Sequence, residues 1–237
     1  MGNRLNPVQR QQDLAALENE DFDVVVIGGG VTGAGAALDA ASRGLKTAII
    51  EAQDWASGAS SRSTRLVRGG LRYLYNLDVK VVSDSIRERA LLLNVIAPHL
   101  VRLQPFLWPL GRGLVNQVQA RSGIAMFQML NQTVGRRALP RHRHRSRASV
   151  IKRFPSISPD SLTGAIEFYD ARVDDARLVI TLVRTAQEYG ARAVSRAQVV
   201  RITRAEDAPV TGLVARDLET GKEFQVRTRG IINATGV

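Results

Sequence analysis

"DFDVVVIGGGVTGAGAALDAASRGLKTAIIE", residues 21–51, decides the fold. Its apolar run, 22–27, ends directly in glycines. A run without polar alternation suits a strand buried on both faces of a parallel sheet. A stretch of small residues follows and closes at Gly44, as a helix packed tightly against its neighbours would. "KTAIIE" reads as the next strand, so a βαβ unit opens at residue 22. Gly28, Gly30 and Gly33 form G-x-G-x-x-G at the first strand-to-helix junction. The first glycine permits the turn, the second lets a pyrophosphate approach the backbone, and the third lets the helix pack on the strand. The helix N-terminus offers free N–H groups and a favourable dipole to the phosphates. Glu51 ends the second strand, where a carboxylate accepts hydrogen bonds from ribose hydroxyls and disfavours a 2′-phosphate. Strand, helix, second strand and terminal acid together predict a dinucleotide, without separating NAD from FAD.

Outward from this unit, 1–20 reads as an N-terminal arm or short helix. "DVKVVSDSIRERALLLNVIAPHL" predicts an amphipathic helix with Val79, Val82, Ile86, Ala90 and Leu93 on one face and Asp78 as its cap. Between 98 and 163 the pattern is interrupted by Pro105, Pro109, Pro140, Pro155 and Pro159, with "GIAMFQML" as a candidate helix. Regular α/β pattern returns with "GAIEFYD" as a strand. "DDARLVITLVRTAQEYG" reads as a helix with Asp174 as its cap, and a hairpin is predicted to turn at Thr220-Gly221. The predicted division is therefore 1–20 as an arm, 21–97 and 164–237 as two parts of one nucleotide-binding domain, and 98–163 as an inserted, substrate-side segment.

The 237 residues are ordinary in hydrophobic content (44%) and charged content (23%), and no apolar run is long enough to cross a membrane. The N-terminus is polar and lacks the apolar region of a secretory signal, so the cytoplasm is the expected compartment. With no cysteine, disulfides and thiolate metal sites are excluded. The net charge is +11, and 29 of the 33 basic residues are Arg. Either a compositional bias toward Arg or attraction to an anionic surface accounts for this. The densest run, "RRALPRHRHRSR" (136–147), reads first as a solvated loop and second as a face for acidic lipid. Nucleic acid is disfavoured, since no aromatic residues interleave with the charges. His142 and His144 do not make a metal site there, because surrounding positive charge opposes a cation.

A second segment narrows the dinucleotide. "SGASSRSTRLVRGGLRYL" (57–74), "VDDARL" (173–178) and "IINATG" (231–236) resemble, in order and over nearly the whole chain, the FAD-dependent glycerol-3-phosphate dehydrogenase family. The resemblance implies a three-layer FAD-binding domain: a parallel sheet, helices on one side, and a smaller antiparallel sheet on the other. It implies FAD held by Gly28, Gly30, Gly33, Glu51 and Ala52, with Ser60 and Ser61 near the phosphates. Val199 or Val200 would approach the adenine by backbone, and Ala234, Thr235 and Gly236 would form a second flavin-contacting strand end. Arg72 would bind the substrate phosphate with Tyr73 beside it, and a guanidinium fork suits phosphate oxygens. The family reaction oxidises sn-glycerol 3-phosphate to dihydroxyacetone phosphate, with hydride to the flavin and electrons on to quinone at a membrane surface. Peripheral attachment to the inner face of the plasma membrane is implied with it. A homo-oligomer is left open.

Two departures temper the resemblance. The family carries Lys-x-x-His before GGLRYL, and here those positions are Arg65 and Arg68. Arginine stays protonated at neutral pH and cannot take over as a base, so no catalytic residue is assigned. Family members also continue past the "ATG" strand, so the chain is expected to correspond to an N-terminal portion. A catalytically incomplete flavin-binding fragment, or another FAD-dependent amino-acid or hydroxy-acid oxidase, are the alternatives.

Overall fold

The computed structural model describes residues 5–67, 70, 73, 76, 78–134, 139–160, 162–204 and 209–236. In chain order the elements begin α1 (Pro7–Asn19), β1 (Asp21–Phe22), β2 (Val24–Ile27), α2 (Val31–Ser42) and β3 (Thr47–Ile50). There follow β4 (Leu66–Val67), α3 (Val79–Leu91), β5 (Arg102–Leu110), α4 (Leu114–Thr133), β6 (Arg143–Ser146), α5 (Arg147–Arg153) and β7 (Gly164–Arg172). The chain then runs through α6 (Asp175–Glu188), β8 (Arg192–Val194), β9 (Ala197–Arg204), β10 (Val210–Asp217), β11 (Glu223–Thr228) and β12 (Ile231–Asn233). Two compact units result: Met1–Thr64 with Asp175–Val237, and Arg65–Asp174. The segment expected at 98–163 falls wholly inside the second unit, which also takes in β4, α3 and β7.

In the first unit a parallel sheet runs β12-β2-β3-β8. Alternation sorts its side chains. Val26, Ile49 and Ala193 face α2 and α6, packing with Ala34, Ala37, Val179 and Val183. Val25, Ala48, Ile50 and Val194 face the opposite way, onto Leu213, Ala215, Phe224 and Val226 of a second sheet, β1-β11-β10-β9. A strand buried on both faces has no polar side to show, which is why Val24–Ile27 reads as continuously apolar. This is the three-layer arrangement expected. The single strand expected over 22–27 is divided at Asp23, whose carboxylate accepts the Lys46 N–H (2.9 Å). β1 therefore pairs with β11 while β2 enters the parallel sheet.

The N-terminal arm is a docked helix. Asn6 caps α1 by accepting the Gln9 N–H at 2.9 Å. Asp13, 1% exposed, accepts from the Gln187 side chain (3.0 Å) and the Ala193 N–H (3.1 Å), with Arg192 at 3.5 Å. Removing that carboxylate leaves buried donors unmatched. Asp13→Ala is expected to cost about 3 kcal/mol, measured as a lower urea midpoint at unchanged slope. An unchanged midpoint would show α1 to be dispensable.

In the second unit β5 pairs with β7 along all nine residues, while β4 and β6 share the other edge of β7. Asp78 caps α3 as expected, accepting the Val81 N–H at 3.2 Å. The buried face of α3 differs from the expected one: it runs Val82, Ile86, Arg89, with Ala90 half-buried. Polar partners from α4 and β7 draw the Arg89 guanidinium inward. A π-helical turn, Leu92–Ile96, then shifts the helical phase and leaves Val95 and Ile96 exposed.

The basic run is not only a loop. Its residues Arg143–Ser146 form β6, and Arg145 forks onto Glu167 through Nε (3.1 Å) and a terminal nitrogen (2.8 Å). Arg147 donates to the Pro159 carbonyl. His142 and His144 meet edge to face at 5.9 Å, and burial, then the neighbouring ring, pushes the His142 imidazole below its usual range. The hydrogen bond from Arg145 holds the Glu167 carboxyl below its ordinary value of 4.5. A depressed folded value means stability that is present above the unfolded value and lost as pH falls through the folded one. Acid unfolding of this unit is therefore expected to begin below about pH 4.5, and Glu167→Gln to flatten that limb in a pH series of thermal melts. An unaltered acid limb in Glu167→Gln would assign the loss to other carboxylates.

Candidate cofactor site

The first strand-to-helix junction opens onto a cavity of about 480 Å³. Gly28 and Gly30 line it from the turn, Glu51 and Ala52 from the end of β3, and Ser57 and Ser60 from the following loop. Val199 of β9 and Ala234, Thr235 and Gly236 beyond β12 complete it. Residues that lie far apart in the chain are thus brought to one wall. Val200 is 40% exposed and not part of it. Ser61 does not reach the wall, because its hydroxyl donates into its own turn, to the carbonyls of Gly58 and Ser57.

The glycines are held by contact. A Cβ on Gly28, whose φ is +109°, would lie 2.4 Å from the Ala234 carbonyl oxygen. One on Gly33 would lie 1.9 Å from the Gly28 carbonyl oxygen. So α2 sits directly on the turn, and the turn sits directly under the end of β12. Gly30 precedes α2 with no side-chain cap, and the Val31 N–H donates to the Ser60 hydroxyl at 3.0 Å. Gly44 ends the helix as expected, at φ +83°, and a Cβ there would meet nothing within 4 Å.

Glu51 has a task its position in sequence does not show. Its carboxylate accepts the Gly29 N–H (2.6 Å) and the Gln53 N–H (2.7 Å). The Gly29 carbonyl accepts from Ala56 N–H at 2.9 Å, and a Cβ on Gly29 would lie 2.6 Å from the Trp55 ring. The turn is thus clamped at one residue from three sides. A carboxylate offers about four acceptor positions, so two remain for ribose hydroxyls. Trp55, Ala56 and Gln198 are parts of this site that sequence reading missed. Nothing local marks them, since Trp55 acts on a residue of the preceding loop.

These residues fit a dinucleotide: the glycine turn at the start of α2 lines the cavity with backbone, the small Ser60 hydroxyl is the side chain nearest Gly30, and an acid sits where ribose is expected. A larger cavity, about 920 Å³, lies beneath α1, but of the predicted site residues none lines it. Its Arg10 is engaged by Asp217 and Glu219.

In the second unit, Arg68 and Arg72 lie outside the described residues. Tyr73 is 40% exposed, and its N–H donates to the Gly70 carbonyl at 2.8 Å, with Gly70 at φ +77°. Arg65 adopts φ +58°, uncommon for a residue with a side chain, and its carbonyl accepts the Val173 N–H. In the first unit, Asp175, in the first turn of α6, accepts from the Ser63 hydroxyl. Among the described residues, no group of three or more metal-ligating side chains occurs, and no helix is long and apolar enough to cross a membrane.

Comparison with known proteins agrees with this geometry. Residues 23–237 match the family described as FAD dependent oxidoreductase. The chain is 46% identical over 233 residues to glycerol-3-phosphate dehydrogenase 2 of Mycobacterium bovis, covering 98% of this chain and 39% of that protein. It is 39% identical to the alpha-glycerophosphate oxidase of Lactococcus lactis, covering 96% of this chain and 37% of that one. Among solved structures, the glycerol-3-phosphate dehydrogenase from Bacillus halodurans complexed with FAD superposes with a TM-score of 0.69 at 26% identity, over 96% of this chain and 37% of that one. The chain thus spans well under half the length of the relatives it matches. A dinucleotide cradle built on Gly28, Gly33 and Glu51, inside a match that runs from residue 23 to residue 237, makes this chain a member of the FAD dependent oxidoreductase family.

Proposed function

We propose that this chain holds FAD in the cavity over Gly28 and Gly30 and takes part in oxidation of sn-glycerol 3-phosphate to dihydroxyacetone phosphate. The observation that carries the first half is the convergence of Gly28, Glu51, Ser60, Val199 and Ala234 on one cavity. The second half rests on similarity to enzymes named for that substrate and on the arginine-rich segment 62–72. The first compact unit is accordingly the FAD-binding part, and the second carries the substrate-side residues.

Bound FAD supplies an acceptor for the hydride leaving the substrate's secondary carbon. The chain's own groups bind and orient. The turn and the N-terminus of α2 receive pyrophosphate, and the free acceptor positions of Glu51 receive ribose hydroxyls. Arg72 takes the substrate phosphate, with Tyr73 beside it. The hydroxyl proton goes to a group other than Arg68, because a guanidinium remains protonated at neutral pH. Arg65 and Arg68 add charge suited to anions in place of Lys and His.

Electrons leave to quinone, which places the working position at the inner, cytoplasmic face of the plasma membrane, attached peripherally. The exposed Arg141 and Arg143 are the contacts for anionic lipid, since Arg145 and Arg147 have partners within the unit. Quinone-linked turnover that survives Arg141→Gln with Arg143→Gln overturns the membrane part of the proposal.

The arginines at 65 and 68 favour a second reading, a chain that holds flavin without turning it over. An anaerobic visible spectrum before and after glycerol 3-phosphate separates the two. Bleaching of a flavin band supports the dehydrogenase. A band that stays oxidised supports the second reading, and a colourless protein refutes both. Bleaching by an amino acid or a simple hydroxy acid instead would assign another oxidase chemistry.

A further inference from the structure

The positive charge of the chain has one source. Residues 89–159 contain no Asp or Glu, against 12 Arg and Lys. The remaining residues carry 21 basic and 22 acidic side chains, so this stretch, wholly inside the second unit, supplies the entire net charge of +11. Basic residues are only slightly denser there than elsewhere; what the stretch lacks is acid. A compositional bias toward Arg explains arginines and leaves the missing carboxylates unexplained. A surface without carboxylates offers an anionic partner attraction with no repulsion.

The same stretch shows apolar side chains to solvent. α4 buries Ala120, Ile124 and Phe127 against β5, β7 and α3. On its outer face Leu114, Val118, Ser122, Ala125 and Met129 recur every three or four residues, all exposed. Leu114, Val118 and Met129 are 77%, 64% and 59% exposed. An ordinary surface helix keeps its outer face polar, and an exposed apolar patch rimmed by charge marks an interaction site. The rim is basic here. Arg121 lies beside the stripe, and Gln128, two turns further on, continues the same line of the helix. The Gln128 side-chain oxygen accepts the His142 N–H at 2.9 Å, which ties the segment carrying Arg141 and Arg143 to that flank. Arg121, Arg141 and Arg143 are all exposed. An apolar stripe edged by guanidinium groups matches a bilayer, whose phosphates lie beside an apolar phase. Nucleic acid offers the phosphates and nothing for Val118 or Met129.

We propose that the outer face of α4 is a lipid-inserting surface. Leu114, Val118 and Met129 enter the boundary between headgroups and acyl chains of an anionic bilayer, while Arg121, Arg141 and Arg143 take the headgroup phosphates. The inference rests on the membrane part of the proposed function and deepens it. Charge contacts alone hold a protein at the surface; α4 adds apolar side chains that enter the lipid.

The chain has no cysteine, so Val118→Cys accepts a single environment-sensitive fluorophore, with Tyr189→Cys, exposed in the first unit, as the control. The labelled chains are mixed with vesicles of phosphatidylglycerol and phosphatidylcholine, and with phosphatidylcholine alone. Expected with the anionic vesicles is brighter, blue-shifted emission at 118, quenched by lipids brominated on the acyl chain, and no change at 189. In co-sedimentation with the same vesicles, Val118→Gln/Met129→Gln lowers partitioning about tenfold or more. Arg141→Gln/Arg143→Gln lowers it about thirtyfold at low salt. All four side chains are exposed, and thermal melts confirm that the variants fold. Wild-type partitioning in Val118→Gln/Met129→Gln, with no shift at 118, overturns the insertion; loss in the arginine variant then leaves a membrane contact by charge alone. A wild-type chain that ignores anionic vesicles overturns both the insertion and the membrane reading. A blue shift at 118 that grows with protein concentration in the absence of lipid gives the face to a second copy of the chain, and overturns the insertion too.

Discussion

Gly33→Ala is expected to yield a chain that purifies without flavin and melts at lower temperature. The added methyl would lie 1.9 Å from the Gly28 carbonyl oxygen, a backbone atom that no side-chain rotation can move aside. α2 would have to lift away from the turn, and its Ala34 and Ala37 would lose their packing on Val26 and Ile49. Strain of this kind costs about 3 kcal/mol or more. The same displacement takes the helix N–H groups away from the phosphates, so affinity falls with stability. Gly35→Ala is the internal control. It lies in the same helix, a Cβ there meets nothing within 4 Å, and alanine should gain up to about 1 kcal/mol through helix propensity. Bound-flavin absorbance and thermal melts of the two variants check the contrast. Equal behaviour would mean that the close approach of helix and turn is not what holds the cofactor.

Glu51→Gln should weaken flavin binding about a hundredfold, roughly 3 kcal/mol, while the chain stays folded. The carboxylate serves two backbone donors, Gly29 and Gln53, through different oxygens. A glutamine has one acceptor oxygen, so its amide nitrogen must face one of those N–H groups. The Gly29 peptide is then released on one side while Ala56 and Trp55 still press from the others. The ribose also loses acceptor capacity. Fluorescence titration of the apo chain with FAD measures the change. A loss below about threefold would show that Glu51 organises neither the turn nor the ribose to a useful degree.

The cofactor class was legible because its signals are local. Strand, glycine turn, helix and acid lie within residues 21–51, and Gly28 and Gly33 answer to that stretch and to the end of β12. Alternation of faces in β2 and β3 could not be read, because both faces are apolar. The middle of the chain was harder. Prolines at 105 and 109 suggested irregularity, yet they lie in β5, an edge strand, where a missing N–H on the open side costs nothing. Arg143–Ser146 has the composition of a loop and becomes a strand because the Glu167 carboxylate on β7 receives Arg145.

The sequence by itself determined a βαβ dinucleotide turn, its flanking apolar strands, and a segment rich in arginine suited to phosphate. Those follow from periodicity and from what each residue type does in its immediate neighbourhood. Tertiary structure alone decided that Val199 and Ala234 share a wall with Gly28, that Trp55 and Ala56 clamp Gly29, and that the buried face of α3 passes through a charge. The last is the clearest case. An arginine is buried only where a carboxylate and an amide from other elements meet it, and no pattern within a helix records what will stand opposite.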